Sequence, residues 1–383
     1  MDELIVGTYE GFLLGYSLRS DDESETKLKQ TFATHSHTGS VRCISVAGKF
    51  LASGGTDDKV VVIDLKTRKE HTVLMNHDGT INSVAFTHGG THLLTGSDDG
   101  SIIVTRTGNW QVEKIWKKAH SGQSVTAIAV HQSDKLALSI GGDKTLRTWN
   151  LIKGRPAFTI NLSSKGVNLP TEVKFSPGGD RFSLVSLQNV DVWTISKAGL
   201  EKRLTCNSKP TTVQWIDDDK MFVGLETGNI INFKVSETKA ETYNAHKQRV
   251  KSLHYENSTL YSASSSGELK AWSLSENALK EICSLNAACR VTCVSLNRQN
   301  HLIKKEESDN ENDKEESDSK NSDVDVSDDD IKAEVMSKKR KPGAFVTISY
   351  DNENAGKTSN VKQPSVKKAK RRRRNKKNNK SDE

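Results

Sequence analysis

The amino-acid sequence predicts an all-β fold: a seven-bladed β-propeller closed by strands from its two chain ends, with a disordered charged C-terminal tail. Three observations predict it. Period-two apolar runs recur around Gly- and Asp-containing turns, the signature of antiparallel hairpins. The hairpins return every 40 residues or so, the period of four-stranded propeller blades. The chain also opens on the second half of one unit and ends, before its tail, on a lone first strand.

The clearest unit is KLALSIGGDKTLRTWNLIKG, residues 135–154. It alternates, turns at Gly141-Gly142-Asp143-Lys144, and runs out through Leu146, Thr148 and Trp149. His120 stands fifteen residues upstream, in AHSGQSVTAIAV. His120, Ser139, Asp143 and Trp149 together resemble the WD repeat, although Asn150 stands where Asp follows the Trp in that pattern.

In chain order, residues 4–18 (LIVGTYEGFLLGYSL) resemble the second half of a repeat, with Tyr16 at the Trp position. A polar loop is expected over 19–29, then a strand through Thr31, Phe32 and Ala33. The first full repeat carries His37, Ser53 and Asp57, with Ile63-Asp64 in place of Trp-Asp. The second carries His77, Thr95 and Asp99, with Thr105 in place of Trp. The third is the unit above. The fourth has Trp193 without His or Asp, and the fifth has Thr227 for Asp and Phe233 for Trp. The sixth has His246, Ser262 and Trp272, with Ser266 at the Asp position. Last comes ACRVTCVSLN, residues 288–297, a first strand alone. Trp149, Trp193, Phe233 and Trp272 follow one another at 44, 40 and 39 residues. Six repeats plus the two remainders make seven blades, and joining the ends in one sheet leaves only short protected edges.

The WD resemblance implies a structural role for the four residue types. The turn Asp accepts hydrogen bonds from the His and from backbone amides, the His bonds the Ser or Thr, and the indole completes the chain. A fully satisfied buried network specifies one geometry, and a half-satisfied one is costly. The third repeat alone holds all four types, so blades four and five are expected to be the loosest, where partners adapt or insertions are tolerated. A hydrolase reading of Ser, His and Asp fails: the set recurs in several repeats, and no nucleophile elbow accompanies it. No phosphate-binding loop or metal-binding His pair is found, so no enzyme, cofactor or small-molecule substrate is expected.

Composition agrees. The chain has 383 residues, 34% apolar and 27% charged, with a net charge of +7. No run approaches the length of a membrane span, and Met1-Asp2-Glu3 lacks the basic and apolar stretches of a signal peptide, so an intracellular protein without membrane contact is expected. Five cysteines without framework spacing fit a reducing compartment. Cys43 and Cys293 read as small buried hydrophobes, and Cys283, Cys289 and Cys293 lack the close pairing of a zinc site.

Residues 1–300 are assigned to the propeller, 301–336 to an acidic linker and 337–383 to a basic tail. Residues 304–334 are acidic and nearly free of apolar side chains, so they cannot offset the entropy of ordering. Ser308, Ser322 and Ser327 each have an acidic residue three positions on, which suits an acidophilic kinase. The sign then reverses: Lys338, Lys339, Arg340 and Lys341 form a short basic cluster. Residues 367–380 carry ten positive charges in fourteen, among them Lys367, Lys368, Lys370, Arg371, Arg372, Arg373, Arg374, Lys376 and Lys377. Such runs read as nuclear localisation or nucleic-acid patches, against the plainer alternative of a solvated tail. Without interleaved aromatics, contact with RNA would be to phosphates, non-specific and salt-dependent. Phe345, Val346, Ile348 and Tyr350 form an apolar island suited to docking.

Residues 4–297 further resemble the p21-activated-kinase-interacting protein family. The resemblance is carried by ELIVGTYEGFLLGYSL, KLALSIGGDKTLRTWNL with the following Gly154, Arg155, Ala157 and Phe158, AHKQRVKSL, and SASSSGELKAW. It implies a non-enzymatic nucleolar assembly factor for the large ribosomal subunit that holds pre-ribosomal proteins and contacts rRNA through its tail. In animals it also implies a negative regulator of p21-activated kinase. The rival reading is a cytoplasmic signalling inhibitor that occupies a kinase regulatory region. Arg249 and Arg290 begin first strands and are candidates for a partner-binding rim, against simple solvation.

Overall fold

The computed structural model describes residues 2–298 except 21–25, 198, 238 and 276–277. The chain starts with β1 (Glu3–Thr8), β2 (Phe12–Ser20) and β3 (Thr26–His35). Blade one is β4 (Val41–Ala47), β5 (Phe50–Gly55), β6 (Val60–Asp64) and β7 (Lys69–Leu74). Blade two is β8 (Ile81–Phe86), β9 (His92–Ser97), β10 (Ile102–Arg106) and β11 (Val112–Trp116). Blade three is β12 (Val125–Val130), β13 (Leu136–Gly141), β14 (Thr145–Asn150) and β15 (Arg155–Asn161). Blade four is β16 (Glu172–Phe175), β17 (Arg181–Val185), β18 (Asn189–Thr194) and β19 (Gly199–Thr205). Blade five is β20 (Pro210–Trp215), β21 (Lys220–Leu225), β22 (Asn229–Lys234) and β23 (Glu241–Asn244). Blade six is β24 (Val250–Glu256), β25 (Thr259–Ser264), β26 (Glu268–Ser275) and β27 (Ala278–Asn286). The last strand, β28 (Val291–Asn297), joins the first three in the order β28-β1-β2-β3, which is blade seven.

All seven sheets are antiparallel and four-stranded. Their first strands, β4, β8, β12, β16, β20, β24 and β28, touch in sequence and close on one another as the inner ring. Sequence periodicity explains each blade. Alternating side chains point to opposite faces, and a blade between two neighbours must bury both. Hence second and third strands such as LASGG and VVV read as nearly continuous buried runs, while fourth strands such as RPAFTIN are mostly exposed. The apolar side chains gather into seven clusters, each spanning one blade-to-blade junction.

The turn between second and third strands holds a left-handed residue in six blades: Gly11, Asp58, Gly100, Lys144, Gly228 and Gly267. At Gly228 the reason is spatial as well. A Cβ there would lie 2.1 Å from the carbonyl oxygen of His246, because the next blade's entry loop passes directly under the turn.

Closure is by main-chain pairing. Leu4 faces Leu296, Val6 faces Val294, and the register runs from Glu3↔Asn297 to Thr8↔Val291. Glu3 is 2% exposed and fixes this end of the seam. Its carboxylate accepts from Asn297 Nδ2 (3.1 Å), from Arg68 of blade one (2.9 Å) and from Thr31 of β3. Arg68 also lies over the Phe32 ring, 4.7 Å from its centre.

Two expectations need correction. The loop expected over 19–29 is shorter, because Arg19 pairs with Lys27 and Leu18 with Leu28. Burying Leu28 and Leu18 at the junction with blade six extends the hairpin through polar sequence. Cys43 and Cys293 are half-buried rather than sealed, since both face the central channel.

Replacing Glu3 with Ala is expected to destabilise the propeller by about 2 kcal/mol, since Arg68 and Asn297 lose a buried acceptor. Urea unfolding checks this, with the exposed Glu10→Ala expected to be near neutral.

Candidate functional site

The polar network of each blade is built by three elements. The entry loop supplies His, the second strand supplies Ser or Thr, and the following turn supplies a carboxylate. In blade three the Trp149 indole donates to Ser139 Oγ (2.8 Å), and Ser139 lies 2.7 Å from His120 Nε2. His120 Nδ1 donates to Asp143 at 2.9 Å. Burial pushes the His120 imidazole down, Asp143 partly opposes this, and Arg147 adds to the lowering. Burial thus favours the neutral ring, whose Nε2 accepts a hydrogen bond from the Ser139 hydroxyl while Nδ1 donates to the carboxylate. Burial pushes Asp143 up, but hydrogen bonds from Thr145 and His120 outweigh it and hold the carboxyl below its usual range. In blade one His37 joins Ser53 (2.8 Å) and Asp57 (2.9 Å). In blade two His77 joins Thr95 and Asp99, both at 2.8 Å. The backbone amides of Thr38 and Asp78 donate to these two aspartates. Ile63 and Thr105 fill the Trp position, buried and at the same register.

Blade six departs from the pattern in a way the sequence hid. Trp272 donates to Ser262 (2.8 Å) and His246 meets Ser262 at 2.7 Å. The carboxylate comes from Glu268, whose Oε2 lies 2.7 Å from His246 Nδ1. Ser266 holds the Asp position but bonds Ser264 instead. The extra methylene of Glu lets position 268 reach back to the histidine, so this network is complete without an Asp.

Blades four and five replace the network. Register places Leu184 and Val223 where Ser139 stands in blade three. Trp193 Nε1 accordingly has no hydrogen-bond partner, although the ring is 1% exposed. Fully buried Asp191 instead accepts two bonds from Arg203 at 2.7 and 2.8 Å.

The inner ring encloses a channel cavity of about 570 Å3, lined from all seven first strands. Arg42, Lys209, Arg249 and Lys251 line it at the face where those strands begin, and Arg290 joins Arg249 and Lys251 in the adjoining crevice. Arg249 and Arg290 thus sit at the channel mouth, on the loop-bearing face where the first strands begin. Burial lowers the Lys251 ammonium, and Arg249, Arg42 and Arg290 lower it further. Deeper in, Lys174 donates to Val213 O (2.8 Å) and His254 to Val294 O (2.7 Å), tying adjacent first strands across the channel.

Ser308, Ser322, Ser327 and the basic residues between 338 and 377 lie outside the described residues, as does the acidic linker. Among the described residues no group of three or more His, Cys, Asp or Glu is arranged to hold a metal ion.

The chain matches the WD domain, G-beta repeat family over residues 26–64, 68–105 and 112–150. Each matched stretch begins on the outer strand of one blade and ends on the third strand of the next, the stagger that leaves β28 to be completed by the chain's start. A p21-activated protein kinase-interacting protein 1-like from Danio rerio is 35% identical over 300 residues, covering 76% of this chain and 79% of that protein. Its namesake in Xenopus laevis is 34% identical, covering 80% and 85%. Protein MAK11 of Saccharomyces cerevisiae is 25% identical over 256 residues, covering 59% and 61%.

Glu268→Ala is expected to cost about 1–2 kcal/mol by leaving His246 without its acceptor, whereas Ser266→Ala is expected to be near neutral. Adding Ser266→Asp to Glu268→Ala is expected to restore most of the loss. Denaturant unfolding of the three variants is the check, and equal costs at 266 and 268 would contradict the assignment.

Proposed function

The chain belongs to the p21-activated kinase-interacting protein family of WD-repeat proteins, and from that premise we propose that it is a non-enzymatic scaffold. It acts in nucleolar assembly of the large ribosomal subunit and in rRNA maturation. The propeller holds pre-ribosomal proteins, and the basic run from Lys367 to Lys377 holds it near rRNA phosphates. The observation that carries this reading is the pairing of a closed propeller with so dense a cationic tail: ten charges in fourteen residues have little use in a purely cytoplasmic inhibitor. The non-enzymatic reading is supported by the burial of the Ser–His pairs. His120 and Ser139 are 0% exposed, and the serine hydroxyl faces the histidine and an indole rather than a cleft. The acidic linker and its serines at 308, 322 and 327 tune the net charge of the tail through phosphorylation.

A second activity is binding the regulatory region of a p21-activated kinase and thereby restraining it; the names of the Danio rerio and Xenopus laevis relatives support the kinase interaction alone. It uses the propeller and not the basic run.

Removing residues 367–380 from a fluorescent fusion is expected to abolish nucleolar enrichment, while leaving the propeller folded. Cells depleted of the protein are expected to lose free large subunits and accumulate their rRNA precursors. Unchanged enrichment together with normal precursor levels would contradict the assembly reading and leave the kinase reading standing.

A further inference from the structure

We propose that the basic channel mouth is a docking site for an acidic peptide segment, carrying apolar residues, of a partner protein. The inference rests on the scaffold reading and names the chemistry of what the scaffold holds.

Five cations from four consecutive blades converge there: Lys209 of blade five, Arg249 and Lys251 of blade six, Arg290 of blade seven and Arg42 of blade one. Among the described residues, the side chains of Arg42, Lys209 and Lys251 have no hydrogen-bond or ion-pair partner. Arg290 is committed to the Tyr9 ring, 4.8 Å from its centre. The nearby carboxylates do not balance this charge. Glu226 lies 3.5 Å from Arg249, both well exposed, and Glu172 is engaged by Lys174 at 3.0 Å. Glu10 lines the crevice on the blade-seven side. Like charges gathered around a concave, partly desolvated site repel one another, and that cost is recovered when an anion enters. At half-buried Lys251, burial first and then Arg249, Arg42 and Arg290 hold the ammonium below the usual lysine range.

Shape and lining favour a peptide over nucleic acid. The cavity of about 570 Å3 suits a few side chains of an extended chain, not a duplex. Phe175 and Trp215 lie along its wall, but Trp215 is 3% exposed, so it offers no free face for base stacking. Exposed apolar residues stand on the same face instead. Tyr9 is 55% exposed beside Arg290, and Leu169, 57% exposed, lies two residues before Thr171 of the channel lining. Leu187, 42% exposed, occupies the neighbouring blade-four turn. An acidic segment with interspersed leucines or valines satisfies both features, with cations at the centre and apolar shoulders around them.

The test uses the full chain with the Lys and Arg residues of 338–341 and 367–380 replaced by Gln, so that these two basic clusters do not bind the probe themselves. The probe is a short fluorescein-labelled peptide alternating Asp or Glu with Leu, read by anisotropy. Binding is expected, and Arg42→Gln/Lys209→Gln/Lys251→Gln is expected to weaken it by at least about tenfold. Lys209→Arg/Lys251→Arg is expected to keep it, and Tyr9→Ala/Leu169→Ser to weaken it further. Removing like charges does not threaten the fold, so the unfolding midpoint of the triple Gln variant should hold or rise. Equal binding by the triple variant, equal binding of an Asn/Gln version of the peptide, or displacement of the peptide by oligouridine from the same cations would each overturn the proposal. None of these readouts depends on nucleolar location or rRNA processing, so failure here and failure of the scaffold reading are separable.

Discussion

Pairing of β28 with β1 is the constraint on which this molecule depends. A row of hairpins that stopped at blade six would expose the apolar flank of its last sheet and of its first. Here the end strands meet in one sheet, and the clusters at the junctions of blades six and seven and of seven and one are filled from both chain termini. The seam is polar as well as apolar. Glu3 gathers Asn297, Thr31 and Arg68, so the first strand, the last strand, the outer strand of the same blade and the neighbouring blade share one carboxylate. A buried acceptor with several donors is demanding to satisfy, which makes the register specific.

Inner strands pose a second problem, because each is a sheet edge with unpaired backbone groups. Neighbouring blades supply the partners. Ser45 accepts from the Phe86 amide, Ser83 from the Ile128 amide, and Thr211 donates to Val250 O. Glu172 accepts from the Val213 amide, and His254 donates to Val294 O. These contacts tie the seven sheets into one ring around the channel. The His–Ser–carboxylate networks add to this at blades one, two, three and six. Blades four and five dispense with them, so apolar packing suffices where Leu184 and Val223 replace the hydroxyl.

Much of the ring was legible in the sequence. Hairpin alternation, turn residues and the roughly 40-residue period expose blades directly, because backbone geometry dictates them. The split seventh blade was readable from its two unmatched halves. What escaped depends on side-chain reach in three dimensions. Glu268 is two positions from the Asp site, and a pattern that counts residues passes over it. Of the mouth cations, Arg249 and Arg290 stand out at the starts of their strands, but Arg42, Lys209 and Lys251 are scattered and form no run that a charge scan detects. Hydrogen bonds between inner strands come from Ser, Thr, Glu and His residues that look unremarkable in one dimension. The half-burial of Cys43 and Cys293 follows equally from facing a channel rather than a sealed core.

The scaffold role proposed for this chain draws on such a body, a closed ring with a charged mouth. All of it presupposes the seam. Amide hydrogen exchange on the intact protein tests that most directly. β1 and β28 are expected to be protected as strongly as the inner strand β12 and to open with it in one cooperative event. Rapid exchange of residues 4–7, with β12 still protected, would mean that the ends do not hold the ring.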